Sequence, residues 1–539
     1  MNFDVPVTSS AHPPAFSTRH ACEDWLAKRT LANSVSTQAE LQQQLSLLSR
    51  YTLAEDERFA ILEVLRGPLL GVQEDMAQKF TARALPLTPP EKAALDSTQA
   101  LWQSLLTNYL HCLTASAKGP ATAVTARIAQ RTLAVLADWQ SSLIHAEYLP
   151  PSAYWQKLNQ IFASIEAARL SREVVKDPLR HGNLPTTPQA AFAECHLLHA
   201  ASLFELPVRH IAWIARWARR WGSKIELLSA APEGIRNRAL PLWVDLAADR
   251  PAGYLPQPGA RHGRWLETTA LRTSLSARID LLQKNRTPAD LQLGDDVTQP
   301  AAGQLLARLL QRWCQGGIPR QHPRQAVGNS ASAGCEFVVG INAVYFQLSE
   351  RRLFQPPAQD DAALRREREE METFGGRRHS QASAGAESAI EQVELMDNGR
   401  LADESLGGLQ LTRPLQANTR IGAGMLIAIR RLPATGFTVG AVRWVLCPDG
   451  LNMNLGVKLF HGSAQPAAAR LLDPPISSWQ PCLLLTDDAN AAQEQSIILP
   501  AGSFRLGREI EIMRQDSERL RLTHLLDHGG AFERCSYEK

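Results

Sequence analysis

No stretch of this 539-residue chain approaches 18 consecutive apolar residues, which excludes a membrane-spanning helix of ordinary length. The formal net charge is only +3, so there is no bulk attraction to nucleic acid or to a membrane surface. Cysteine is sparse: Cys22, Cys112, Cys195, Cys314, Cys335, Cys447, Cys482 and Cys535 lie far apart, with no C-x-x-C pair. That spacing suits neither a zinc site nor a disulfide framework, and points to buried free thiols in a reducing cytoplasm. Met1 to His20 is polar, with Pro13 and Pro14, and lacks the apolar core of a secretory signal. Also missing are G-x-x-x-x-G-K-[ST], G-x-S-x-G, H-E-x-x-H and a usable G-x-G-x-x-G. His196 with His199, and His524 with His528, have metal-ligand spacing but no evident third ligand, so both pairs read as structural. The expectation is a protein without enzymatic activity, cofactor or metal.

Hydrophobic residues at 44% and charged residues at 21% are those of an ordinary globular protein, and the length calls for three or four domains. Residues 20–180 carry apolar side chains at helical spacing. Thr37-Gln38-Ala39-Glu40 and Thr88-Pro89-Pro90-Glu91 have the form of capping boxes. Breaks are expected at Gly67-Pro68, Lys118-Gly119-Pro120 and Pro150-Pro151. The result is a bundle or array of five helices, with no repeat of fixed period. A second mostly helical unit spans 188–316. Within it Trp213, Trp217 and Trp221 fall four apart beside Arg209, Arg216, Arg219 and Arg220. Such a stripe suits a membrane or nucleic-acid surface, or a core face flanked by solvated arginines, and the core face is the commoner outcome.

Beyond residue 316 the texture becomes β-like. Cys335–Gly340, Val344–Phe346, Met425–Ile429, Phe437–Leu446 and Leu455–Phe460 read as short strands of a small antiparallel barrel. Residues 356–388 are poor in apolar side chains and read as an insertion into that barrel. Residues 476–539 hold further strand-like runs, an extension of the sheet or a second small barrel. The fold class expected is α+β: an all-α N-terminal region, an antiparallel β-barrel over 318–475, and a further C-terminal β unit.

Within the β half, Asp403-Glu404-Ser405-Leu406-Gly407-Gly408 has the form D-x-S-x-x-G. Asp403 and Ser405, two apart on an extended backbone, point to one side and offer acceptors and a hydroxyl to a flat polar partner. Gly408 permits a positive φ and a close approach of ligand to backbone. The same residues also make an ordinary polar turn. Upstream, Arg320-Gln321-His322-Pro323-Arg324 is R-x-x-x-R, and two guanidiniums on an arm can grip phosphate or the O6/N7 edge of guanine. Arg377 and Arg378 form another arginine pair inside the insertion.

The order R-x-x-x-R, strand, D-x-S-x-x-G, then strands ending in Leu455-Gly456-Val457-Lys458-Leu459-Phe460, resembles the PilZ domain, the bacterial receptor module for cyclic di-GMP. The resemblance covers about 318–475. It implies a PilZ-like barrel in which Arg320 and Arg324 clamp the dinucleotide. It also implies that Asp403 accepts from guanine N1/N2, that Ser405 bonds base or phosphate, and that Gly408 completes the motif. No GGDEF-type cyclase or EAL-type phosphodiesterase motif accompanies it, so the chain senses the messenger and does not make or destroy it. The resemblance implies signalling through protein partners in surface attachment and biofilm, type IV pili, motility or polysaccharide control. The alternative is a PilZ-like scaffold without ligand that acts through its helices.

Overall fold

The computed structural model describes residues 3–29, 33–116, 122–232, 240–318, 323–327, 333–357, 396–417, 419–473, 478–486 and 495–539. The chain divides into two compact units, Met1–Arg83 with Leu87–Arg320, and Ala84–Pro86 with Gln321–Lys539.

The first unit is helical. Its early helices are α1 (Arg19–Ala27), α2 (Ser34–Leu48), α3 (Glu55–Ala77), α4 (Pro89–Ser116), α5 (Ala123–His145) and α6 (Ser152–Ala167). The Thr88 capping box holds: the Thr88 N–H donates to Glu91 Oε2 at 2.8 Å as α4 begins. The expected box at Thr37 does not, because α2 starts earlier, where the Asn33 side chain accepts from Val35 and Ser36. The expected break at Gly67-Pro68 is also absent. Pro68 lies inside α3, whose buried Leu62, Leu65, Leu69 and Val72 run on through it. Core packing of that stripe outweighs the hydrogen bond that proline removes.

After α6 come a two-strand hairpin and a one-turn helix: β1 (Val175–Lys176), α7 (Pro178–His181) and β2 (Pro185–Thr186). They are pinned by buried charge. Arg66 makes a bidentate bond to Asp177, with Nη1–Oδ1 at 2.9 Å and Nη2–Oδ2 at 2.7 Å. Gln130 and Arg131 reach the same carboxylate at 3.1 and 3.3 Å. Arg180 of α7 joins Glu194 and Asp138, each at 2.9 Å.

The unit continues with α8 (Pro188–Ala200), α9 (Val208–Trp221), strands β3 (Glu226–Leu228), β4 (Leu242–Asp245) and β5 (Gly263–Glu267), then α10 (Thr269–Gln283) and α11 (Ala301–Cys314). The three strands form one small sheet that helical periodicity did not reveal. The tryptophan stripe of α9 faces the core: Trp213, Trp217 and Trp221 are all buried, and the Trp217 indole donates to the Leu293 carbonyl at 2.8 Å. His196 is likewise a core residue, stacked on Trp155, with Nδ1 accepting from the Ala252 N–H. Among the described residues no helix is long and apolar enough to cross a membrane.

The second unit is a pair of six-stranded antiparallel barrels. Its elements are β6 (Gln325–Ala326), β7 (Gly334–Val339), α12 (Ile341–Leu348), β8 (Asp397–Ser405), β9 (Gly408–Pro414), β10 (Leu426–Arg431), β11 (Thr438–Leu446) and β12 (Asn452–Leu459). Strands β8-β7-β10-β11-β12-β9 close on themselves through β8–β9, and β6 pairs with β8 at Asp403 and Glu404, beyond its pairing with β7. Val344–Phe346, expected as strand, is helix α12. Its Val344 and Phe346 are buried, and a residue's β-branching or aromaticity does not decide between a short helix and a strand. The second barrel is β13 (Ser463–Leu471), β14 (Gln480–Thr486), β15 (Ser496–Pro500), β16 (Glu509–Met513), β17 (Ser517–His528) and β18 (Phe532–Glu538), closed through β13–β16.

Strand β10 shows why the barrels form one body. It is buried on both faces, as an isolated barrel strand would not be. Leu426 and Ala428 pack with Leu483, Leu485, Ile498 and Phe532 of the second barrel, while the alternate residues Ile427 and Ile429 turn inward. Asp527 of β17 adds a charged tie. Burial alone would raise its carboxyl, but the bonds from Lys458 (2.9 Å) and Arg443 hold it below the usual range. Leu85 also belongs to this unit, exchanging backbone hydrogen bonds with Ile421 at 2.9 and 2.7 Å.

Candidate ligand site on the first barrel

Strand β6 is two residues long, yet it fixes the site. Gln325 lies opposite Glu404 and Ala326 opposite Asp403, and the Val327 N–H extends the ladder to the Ala402 carbonyl at 3.1 Å. This pairing sets Arg324, the last residue of R-x-x-x-R, beside Asp403, 79 positions later. Arg324 Nη1 donates to both carboxylate oxygens, at 2.8 and 3.1 Å. Their side chains are 26% and 23% exposed, so the pair adds about 0–1 kcal/mol to stability. Its effect is orientation. One nitrogen of the fork is engaged, and the others make no hydrogen bond among the described residues.

Asp403 and Ser405 are alternate residues of β8, beyond the irregularity between Leu401 and Asp403, so pleating turns both to one face. Ser405 Oγ donates to the Gly408 carbonyl at 3.1 Å and closes the hairpin around Leu406-Gly407. Gly408 serves a different purpose from the one expected. It is not among the positive-φ glycines. A Cβ there would lie 2.5 Å from the Val457 carbonyl oxygen, so glycine is required because β12 presses against the hairpin end. Arg320, with residues 319–322, lies outside the described residues, as do Arg377, Arg378 and the insertion 356–388 beyond its first two positions.

Two contacts were not legible in the sequence. Glu404, turned to the opposite face, pairs with Arg431 of β10 at 2.6 Å. Arg413, 1% exposed, lies over the Phe337 ring and bonds the Asp397 carboxylate, holding together the base of the β8–β9 hairpin. Neither has a motif; the barrel's strand order β8-β7-β10 brings Arg431 within reach. The site as a whole offers a fork of N–H donors, a carboxylate and a hydroxyl at one end of a hairpin. Such a set recognises a flat polar edge with an anionic neighbour.

Fold and site together define a helical protein joined to tandem antiparallel barrels, with a short strand, preceded by Arg324, paired to the first. Comparison with known families carries this further. Residues 20–233 match the family described as "Cyclic-di-GMP receptor FimW, N-terminal domain", and residues 467–539 match the "FimW C-terminal beta-barrel domain". The two matches cover just over half of the chain, which belongs to the FimW family. The chain is also 22% identical over 535 residues to the cyclic-di-GMP receptor FimW of Pseudomonas aeruginosa, a match covering 92% of this chain and 86% of that protein. No solved structure matches. The Arg324–Asp403 site lies in the segment between the two family matches.

Proposed function

We propose that this protein is a cytoplasmic receptor for cyclic di-GMP and that the dinucleotide docks on the β8–β9 hairpin of the first barrel, a PilZ-like module over 318–475. Arg320 and Arg324 grip its phosphates and guanine edges. Asp403 accepts from guanine N1/N2, Ser405 bonds the base or a phosphate, and Gly408 keeps the hairpin end against β12. The protein senses and does not catalyse, and its output is contact with protein partners in surface attachment, pili, motility or polysaccharide control. The single observation that carries this reading is the Arg324–Asp403 contact at 2.8 Å, two motif residues 79 positions apart meeting on one strand pair. Membership in a family named for a cyclic-di-GMP receptor supports the choice of ligand.

Calorimetric titration of the full chain with cyclic di-GMP tests it. Saturable binding is expected, and Arg324→Ala or Asp403→Ala should each cost about 1–3 kcal/mol of affinity, by analogy with bidentate guanine contacts. Absence of heat at tens of micromolar protein would remove the receptor reading and leave a scaffold acting through its helices.

A further inference from the structure

The helical unit contains a cavity of about 310 Å³ that the reading above does not use. It lies between the β1–β2 hairpin, the C-terminal end of α9 and α10. Its walls include His181, Thr186, Arg220, Trp221, Lys224 and Arg278.

Charge around it is unbalanced. Among the described residues the Arg220 guanidinium bonds only the backbone and side-chain oxygens of Gln292. Arg278 bonds the carbonyl and hydroxyl of Ser274, at 3.1 and 2.6 Å, and lies over the Trp221 ring. Lys224, Arg220 and Arg278 have no carboxylate partner among the described residues. Arg219, also on the wall, shares Asp138 and Glu194 with Arg180. Burial, and then the charge of Arg220, lower the Arg278 pKa. The helix macrodipole at the end of α9 supplies only about half a negative charge against these cations.

Hydrogen bonding is unbalanced in the same place. Trp221 is 1% exposed and Thr186 3% exposed, yet the Trp221 Nε1–H and the Thr186 hydroxyl have no partner among the described residues. Nε2 of His181 also has none among them. Burial and the neighbouring Arg180 hold His181 down at about 4, so the ring is neutral and Nε2 can carry a hydrogen. Buried polar atoms are nearly always satisfied. Here the unpartnered ones are groups able to donate, gathered beside cations that have no carboxylate partner among the described residues.

We propose that this cavity binds the phosphate group of a small organic phosphate, no larger than a mononucleotide. Lys224, Arg220 and Arg278 supply the charge, and Trp221, Thr186 and His181 supply neutral donors. The volume lies at the low end of ligand cavities, which leaves room for a phosphate and a modest organic group but not for a dinucleotide.

Calorimetry on the full chain tests this with inorganic phosphate, guanosine monophosphate and, as an uncharged control, guanosine. The monophosphate should bind saturably and guanosine should not. Lys224→Ala and Arg220→Gln should each weaken binding by about tenfold or more, the loss of one charge-assisted contact. Arg324→Ala should leave it unchanged, so failure here and failure of the cyclic-di-GMP site read out separately. Thr186→Val should raise the melting temperature of the free protein, because it deletes an unsatisfied hydroxyl, while weakening the monophosphate. Equal binding by wild type and Lys224→Ala, no saturable binding by either phosphate probe, or a destabilised Thr186→Val would each overturn the assignment.

Discussion

Asp177 in the helical unit and Asp403 on the first barrel are both aspartates bound by arginine, and they do opposite work. Asp177 is fully buried, with a bidentate Arg66 and further bonds from Gln130 and Arg131. Both carboxylate oxygens are engaged, and three side chains converge on them, so the cluster locks β1 and α7 onto α3 and α5. Asp403 receives a single nitrogen of Arg324, and both side chains keep about a quarter of their surface open. Burial decides the difference. Breaking a buried pair strands a charge in a medium that cannot solvate it, whereas an open pair exchanges its partner for water or ligand at little cost. Buried coordination by several partners makes a staple, and coordination by one nitrogen at the surface leaves capacity to bind.

This contrast is sharpened most by Asp177→Ala. It should cost about 3–5 kcal/mol, because Arg66 and Arg131 lose their shared counter-charge while still buried. Urea unfolding followed by helical circular dichroism measures it, and a loss below about 1 kcal/mol would break the comparison. Acid probes the same group more gently. Burial would push the Asp177 carboxyl up, but the bond from Arg66 and the charges of Arg66, Arg131 and Arg180 prevail and hold it at about 2. Its unfolded value is about 3.9, so this stabilisation is complete above about pH 4 and is lost as the pH falls toward 2, about 2 kcal/mol in all. A urea midpoint independent of pH across that window would contradict it. On the barrel side, Arg324→Ala should change the unfolding free energy by less than about 1 kcal/mol while costing cyclic-di-GMP affinity. A large stability loss would mean the pair is a staple after all. The smallest effect on ligand affinity belongs to Ser405→Ala. It removes one hairpin bond worth about 0.5–1.5 kcal/mol, and its affinity loss should be smaller than that of Arg324→Ala in the same titration.

Much of this was legible in the sequence where the cause is local. The Thr88 cap is read from four residues, and the core face of α9 from a tryptophan every fourth position. The passage from helix to strand beyond residue 316 shows as a change of period. Where a local signal competes with packing, it misleads. Pro68 marks a break in a segment whose core stripe carries the helix onward, and Val344–Phe346 has strand-forming residues but folds as α12. The hairpin at Asp403 stands between these cases. Its residue types and their shared face follow from alternation, but the need for glycine at 408 comes from Val457, a residue 49 positions away on another strand.

The sequence by itself determined the kinds of groups this protein holds: arginines in R-x-x-x-R, an aspartate and a serine two apart, buried thiols, and a helical half followed by a β half. Tertiary structure alone decided which of them meet. Pairing β6 with β8 joins Arg324 to Asp403, closure of two barrels buries β10 on both faces, and the fold gathers around one cavity cations and donors that have no carboxylate or hydrogen-bond partner, respectively, among the described residues. Periodicity acts within one turn or one pleat, so a chain displays it residue by residue. Contacts across dozens of positions depend on strand register and on competition for burial among all segments, and no short stretch encodes that outcome.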